Sequence, residues 1–341
     1  MPKIKAGVVG VGHLGTLHAR IYKELSAAEL TGVFDLDPRR SGEIARKYKV
    51  RSFSSLDELI QAVEAVSLAV PTNRHFEIGR MVLSAGRHLL VEKPITEKTE
   101  QAAELVELAN AKGLVLQVGH VERFNPALLS AAELISGVLF VESERLAPFN
   151  PRGTEVPVVL DLMIHDIDIV LSIMRRPVLD VSALGIPVFT PSVDIANARL
   201  TFEGGAVANV AASRVSIKKV RKMRFFASDR YISVDMLQLS AVSYRKRPQA
   251  QVTLERSSLP DMHDLVVREN LNPDRSREPL VLELESFIDC IREGKQPVVS
   301  GVDGLQALEV AGRIMKAIEL SLEKIGLKPD KLAGAQKESK T

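Results

Sequence analysis

Two places in the chain hold side chains that can move a proton. The first is residues 158–174, which contain no Lys, Arg or Glu and whose polar members are Asp161, His165, Asp166, Asp168 and Ser172. Asp161, His165, Asp168 and Ser172 recur every three or four positions, which puts them on one narrow stripe of a helix. A surface helix carries a broad face of long charged side chains. A stripe of Asp and His on an otherwise apolar helix points to a lined cavity. His165 titrates near neutrality and suits general acid–base work, and Asp161, one turn away, can orient the imidazole or bind a substrate hydroxyl. A purely structural polar network would use the same residues. A metal site is the weaker alternative, because no second ligand cluster stands out and Cys290 is the only cysteine. The second place is Glu92-Lys93-Pro94. Proline keeps the residue before it extended, so Lys93 is aimed rather than loose. A lysine beside another positive charge has a lowered pKa and can share a proton with a hydroxyl. The plain alternative is a surface lysine before a turn.

Both places depend on the elements around them. Residues 1–120 alternate short apolar runs with helical patterns: strands at 4–9, 30–34, 66–70, 88–91 and 114–118, and helices at 14–25, 38–48, 56–62, 77–85 and 98–111. Strand and helix in alternation imply a doubly wound parallel sheet. Gly10-Val11-Gly12-His13-Leu14-Gly15 ends the first strand and opens the first helix. There the first glycine makes the turn, the second lets a pyrophosphate approach the backbone, and the third lets helix and strand pack closely. The helix start at His13 and Leu14 offers N–H groups and a partial positive charge to phosphates. Asp35 ends the second strand, placed to accept hydrogen bonds from an adenosine ribose and to repel a 2′-phosphate. This pattern predicts a nicotinamide dinucleotide, NAD in preference to NADP, with Arg39 and Arg40 keeping NADP possible. Lys93 follows the strand at 88–91. It therefore lies at a strand carboxyl end, where doubly wound sheets bind ligands, near the nicotinamide's positive ring.

After Gly119 the rhythm changes. A strand at 139–145 and the helix at 158–174 precede strand patterns at 194–202, 206–214, 223–227 and 251–254, the first two of these joined by Glu203-Gly204-Gly205 as a hairpin. Helices at 279–293 and 304–324 follow. The expected architecture is an N-terminal Rossmann domain over residues 1–120 and a C-terminal α+β domain with an open, mainly antiparallel sheet over 121–326. Residues 327–341, rich in Lys, Gly, Ser and Gln, are expected to be a disordered tail.

Bulk composition narrows the partners. The 341 residues carry 45 basic and 43 acidic side chains, a formal net charge of +2. That balance leaves no electrostatic footprint for nucleic acid. No apolar run approaches the roughly 18 residues needed to span a bilayer, and no signal-peptide pattern precedes the strand at 4–9. One cysteine allows no intrachain disulfide, and the expected location is the cytoplasm.

Taken together and in order, Gly10-x-Gly12-x-x-Gly15, Pro71-Thr72-x-x-His75, Glu92-Lys93-Pro94 and Asp161-x-x-x-His165-x-x-Asp168 resemble the Gfo/Idh/MocA oxidoreductase family. The resemblance runs over nearly the whole chain, to Ser300-Gly301-x-Asp303-Gly304. It implies that Lys93, Asp161 and His165 are catalytic, with Lys93 or His165 as the base. It also implies that Pro71, Thr72, Asn73, His75 and Glu92 lie beside the cofactor, and that the second sheet's outer face forms a homodimer or homotetramer. The segment from Gly119 to Ala127 is similar to the branch acting on nucleotide sugars, which implies oxidation of a sugar such as UDP-N-acetylglucosamine at its 3-position. Arg123 and Asn125 would then contact the substrate. Arg214 is a further candidate, for its phosphates, since guanidinium suits bidentate phosphate contact. The alternatives are a free sugar or polyol such as inositol, an enzyme that retains its nicotinamide between two substrates, and a non-catalytic dinucleotide sensor.

Overall fold

The computed structural model describes residues 2–150, 156–248 and 262–326. The chain forms two compact units, one of Met1–Phe124 with Arg277–Glu309 and one of Asn125–Ser276 with Val310–Thr341.

The first unit contains, in chain order, β1 (Ile4–Val9), α1 (His13–Glu24), β2 (Ala28–Phe34), α2 (Pro38–Tyr48), β3 (Arg51–Ser52), α3 (Leu56–Ala62), β4 (Ala65–Leu68), α4 (His75–Ser84), β5 (His88–Glu92), α5 (Thr99–Ala111) and β6 (Leu116–Gly119). The sheet order is β3-β2-β1-β4-β5-β6, with every pairing parallel. The order reverses between β1 and β4, which opens a crevice at the carboxyl ends of those strands. Central strands buried on both faces need continuous apolar runs, and β4 is buried at all four positions. Helix starts follow local chemistry: Asp37 caps α2 ahead of Pro38, and the Ser55 hydroxyl accepts from the Glu58 N–H to cap α3.

The second unit holds α6 (Pro126–Ala131), β7 (Phe140–Leu146), α7 (Ile164–Met174), β8 (Val178–Ile186), β9 (Ile195–Phe202), β10 (Val207–Ser213), β11 (Val220–Phe226), β12 (Arg230–Asp235), β13 (Ser240–Lys246), α8 (Met262–Leu265) and β14 (Val266–Leu271). Its eight strands run β14-β13-β12-β11-β7-β10-β9-β8, antiparallel except for β7 with β10. Burial alternates along the strands. In β9, Ala196, Ala198, Leu200 and Phe202 are buried, while Ile195, Asn197 and Arg199 are exposed. One face is therefore packed and the other open. The hairpin at Glu203-Gly204-Gly205 is present, and both glycines have positive φ, a backbone region that glycine enters without steric cost.

α9 (Pro279–Glu293) and α10 (Gly301–Lys324) complete the chain. Sequence grouped both with the second domain, but residues 277–309 pack in the first unit. Leu284, Phe287, Ile288 and Cys290 of α9 join the core built by Val8, Ile21, Tyr22, Val33 and Leu90. Amphipathic periodicity says that a helix buries a face, not which core receives it. Strands β8, β12, β13 and β14 went unread. The pattern at 251–254 and the expected tail at 327–341 lie outside the described residues.

Candidate functional site

At the end of β1, Gly10 has φ of +82°, and a Cβ there would stand 2.5 Å from the Ala69 carbonyl oxygen. Only glycine accepts that backbone at that distance. A Cβ on Gly15 would collide with the Gly10 carbonyl oxygen, so α1 approaches the turn this closely only without one. Gly12 differs: a Cβ there meets nothing within 4 Å. Its glycine answers to no packing demand inside the protein. It leaves open the space that a pyrophosphate would fill at the start of α1, where no side chain caps the helix and His13 and Leu14 are exposed.

Asp35 stands beside this turn. Its Oδ2 accepts from the Val11 N–H at 2.9 Å and its Oδ1 from the Asp37 N–H at 2.9 Å, while Arg40 Nη1 lies 3.8 Å from Oδ2. The carboxylate thus braces the glycine turn from the end of β2. Pro71, Thr72 and Asn73 follow β4 in a single 3₁₀ turn with Pro71 and Asn73 exposed. Lys93, partly exposed, follows β5, and its peptide bond to Pro94 is cis. Residues 10–15, 35, 71–73 and 93 all lie at strand carboxyl ends of one sheet. The glycine cradle, Asp35 and the strand order fit a dinucleotide.

Two of the residues expected beside the cofactor have buried side chains. His75 is buried, with Nδ1 2.9 Å from the Pro94 carbonyl oxygen and Nε2 2.9 Å from that of Val70. Burial lowers its pKa against the opposing pull of those carbonyls and of Glu92. Glu92 is also buried, its Oε1 3.1 Å from His18 Nε2. His18 was not singled out by sequence, although the glycine motif lies just before it. His120, in the same unit, is fully buried, and burial, then Lys93 and Arg123, push its pKa down to about 3. Arg123 Nη2 donates to the Val298 carbonyl at 3.0 Å.

In the second unit the helix expected over 158–174 is divided. Val159–Met163 form a π-helical turn, which then continues as α7. Asp161 lies in the π turn and His165 in the first α turn, both partly exposed, whereas Asp168 is buried. The single stripe therefore separates into a surface pair and an inner carboxylate. Asp166 is buried as well: Arg145 of β7 donates Nε to its Oδ2 at 2.9 Å and Nη2 to its Oδ1 at 2.7 Å. That bidentate pair ties α7 to the sheet.

The structure commits Asn125 and Arg214 to the protein itself. Asn125 Oδ1 accepts from the Ala127 N–H to cap α6, and its Nδ2 donates to the Met236 carbonyl. Arg214 donates Nε to Asp194 Oδ1 at 2.7 Å, Nη1 to the Val156 carbonyl at 2.6 Å, and Nη2 to Ser192 Oγ at 2.6 Å and Thr190 Oγ1 at 3.1 Å. Asp194 also accepts from the Val188, Phe189 and Thr190 N–H groups. Burial alone would raise the Asp194 carboxyl, but Arg214 and these donors outweigh it and bring it down to about 2. A guanidinium used this fully holds the loop before β9.

Among the described residues no group of three or more His, Cys, Asp or Glu could hold a metal ion, and no helix is long and apolar enough to cross a membrane.

A 3-2-1-4-5-6 parallel sheet with this glycine cradle and carboxylate defines a nicotinamide-dinucleotide protein. The model of the oxidoreductase family with an NAD-binding Rossmann fold matches residues 4–120, and that of the Gfo/Idh/MocA C-terminal domain matches residues 145–233. The chain belongs to the Gfo/Idh/MocA family of oxidoreductases. It is 37% identical over 325 residues to UDP-N-acetylglucosamine 3-dehydrogenase of Acidithiobacillus ferrooxidans, covering 95% of this chain and 100% of that one. A solved structure of that enzyme superposes with a TM-score of 0.85, over 94% of this chain and 99% of the other. Scyllo-inositol 2-dehydrogenase (NAD(+)) of Bacillus subtilis is 26% identical, covering 90% and 92% of the two chains.

Proposed function

We propose that the protein oxidises a nucleotide sugar, UDP-N-acetylglucosamine, at its 3-hydroxyl with NAD as acceptor. The observation that carries this reading is end-to-end likeness, at 37% identity, to an enzyme with that name. The inositol dehydrogenase likeness is lower, at 26%. In this reading Gly10, Gly12 and Gly15 give the pyrophosphate its approach, the first amides of α1 face the phosphates, and Asp35 accepts from the adenosine ribose. Pro71, Thr72 and Asn73 border the nicotinamide half. Bound there, NAD would supply the hydride acceptor for the sugar carbon. Lys93 or His165 takes the hydroxyl proton as the C–O bond becomes C=O, and Asp161 orients His165 or holds a sugar hydroxyl. Arg123 is the remaining candidate for substrate contact.

The same reading includes a homo-oligomer formed through the open face of the second sheet. Leu184, Ile186 and Ile195 are exposed on adjoining strands there. Phe140, Phe226, Tyr231 and Tyr244 stack across four strands with ring centroids 5.4, 4.9 and 5.4 Å apart. Light scattering on the purified protein reads the assembly directly, and a monomer at micromolar concentration removes this part.

The deciding experiment follows reduced-nicotinamide absorbance when protein and NAD meet a panel of UDP-hexoses and free polyols. An aminotransferase trap is included to draw off ketone. Turnover with UDP-N-acetylglucosamine and none with inositols is expected. Turnover with a polyol alone discards the nucleotide-sugar reading and keeps the family.

A further inference from the structure

The buried histidines of the first unit have no part in the chemistry so far. His18, on the inner face of α1, is fully buried. Its Nδ1 is 3.0 Å from Ser67 Oγ of β4, and its Nε2 is 3.1 Å from Glu92 Oε1 at the end of β5. The Tyr22 hydroxyl, one turn along α1, is 3.1 Å from the same Ser67 oxygen. Burial, the largest influence, raises the Tyr22 pKa, so the phenol stays a donor. These distances line up Tyr22, Ser67, His18 and Glu92 in the interior of the unit. With the phenol as donor, Tyr22 O–H donates to Ser67 Oγ and Ser67 O–H to His18 Nδ1, while His18 Nε2 lies in close contact with Glu92 Oε1. The other Glu92 oxygen is folded over Gly119 of β6, where a Cβ would stand 2.8 Å from Oε2. Glu92 is thus enclosed by α1 on one side and β6 on the other.

On the far side of Lys93, His75 of α4 faces the Pro94 and Val70 carbonyls with its two ring nitrogens. A neutral ring donates to one of them and a protonated ring to both. With its proton on Nδ1 the ring ties the Pro94 carbonyl, after β5, to α4. The residue before Lys93 is held through its side chain and the residue after it through its main chain, each by a buried imidazole. A lysine side chain has rotamer freedom to lose on ordering, and a fixed backbone on both sides confines where its amine can reach.

We propose that His18 and His75 are positioning residues for Lys93, forming a two-point clamp that holds the amine where proton transfer occurs. Tyr22, Ser67 and Gly119 set the clamp's inner end. The inference rests on the reading of Lys93 as a proton-transfer group.

The test compares His18→Ala, His18→Gln, His75→Ala and His75→Gln in the full chain. Two measurements are made on each. One is kcat and KM with NAD and UDP-N-acetylglucosamine. The other needs no turnover: acylation of Lys93 by a water-soluble amine-reactive ester at one fixed pH, read by peptide mass spectrometry against exposed Lys218. Each alanine variant is expected to lower kcat by about tenfold or more, in line with the cost of misplacing a catalytic group, with both KM values within about threefold. The Lys93-to-Lys218 acylation ratio should change at least about threefold, and glutamine, which keeps a donor and an acceptor, should recover most of both effects. Folded alanine variants with wild-type kcat and wild-type acylation overturn the clamp. So do variants in which kcat follows thermal stability down and glutamine rescues neither. Should an alanine variant fail to fold, Ser67→Ala and Gly119→Ala disturb the same chain without touching a histidine, and unchanged Lys93 acylation in both overturns the inference. A wild-type protein silent with UDP-N-acetylglucosamine refutes the proposed substrate, while the acylation series still decides the clamp.

Discussion

The two units bury polar groups in opposite ways. In the first, the side chains of Tyr22, Ser67, His18 and Glu92 form a line of close polar contacts that ends beside Lys93, at the carboxyl edge of the sheet. In the second, Arg145 with Asp166 and Arg214 with Asp194 are permanent charges closed on one another, the first pair holding a helix to the sheet and the second holding a loop. Sequence offered Arg214, Asp161, Asp166 and Asp168 alike as polar residues of interest. What separates them is how much of their hydrogen-bonding capacity the protein itself consumes. A guanidinium with donors on Asp194, Val156, Thr190 and Ser192 is a staple, whatever its residue type suggests.

The sharpest way to break this comparison is to remove one charged group from each unit. Lys93→Ala is expected to lower kcat by about 10³-fold, within the usual range for loss of an acid–base group, while NAD binding by fluorescence titration and thermal stability hold. Arg214→Ala is expected to do the reverse. Leaving Asp194 buried without its partner costs about 3–5 kcal/mol in denaturant unfolding, with kcat per folded molecule kept. A stable Arg214→Ala protein with a raised sugar KM would return Arg214 to the substrate site.

A smaller effect separates the glycines within the first unit. Gly12→Ala is expected to weaken NAD by about tenfold or more, roughly 1.4 kcal/mol, with an unchanged melting temperature, because its Cβ enters open space. Gly15→Ala is expected to lower the melting temperature, because its Cβ meets the Gly10 carbonyl. Equal melting losses in both would mean that Gly12 serves packing and not a ligand.

The smallest effect is in pH. His120, with its pKa near 3, stays neutral when folded but binds a proton below about 6.5 when unfolded, and His75 and His88, also lowered chiefly by burial, act in the same direction. The unfolded state then binds more protons, so stability falls as pH drops below about 6.5. Asp194 works in another window. Its stabilisation is complete above its unfolded pKa, about 3.9, and is lost as pH falls through about 2. Mild acid should therefore loosen the first unit before the second, which hydrogen exchange at pH 5.5 and 7.5 can read. His120→Gln should flatten the fall in melting temperature over that interval, and an unchanged slope would remove His120 as a cause.

The parallel sheet, its glycine turn and Asp35 were legible because each is local. Apolar runs, a turn glycine and a strand-end carboxylate lie within short windows, and the physics that selects them acts over those same windows. The second unit was less legible. β8 and β14 lie at its sheet edges, and the π turn at Val159–Met163 leaves no mark in residue spacing. His18 could have been found, since a histidine on the inner face of α1 has no apolar reason to be there.

By itself the sequence determined the Rossmann domain, the family and the candidate pair Lys93 and His165, because periodicity and motif spacing are properties of the chain. Only the tertiary structure decided which polar residues were already spent. It turned Arg214 and Asn125 into braces, buried His75 and Glu92 behind Lys93, and placed α9 in the first core. The reason is physical. A buried donor or acceptor must find a partner, and here that partner lies far along the chain, beyond the reach of any local pattern.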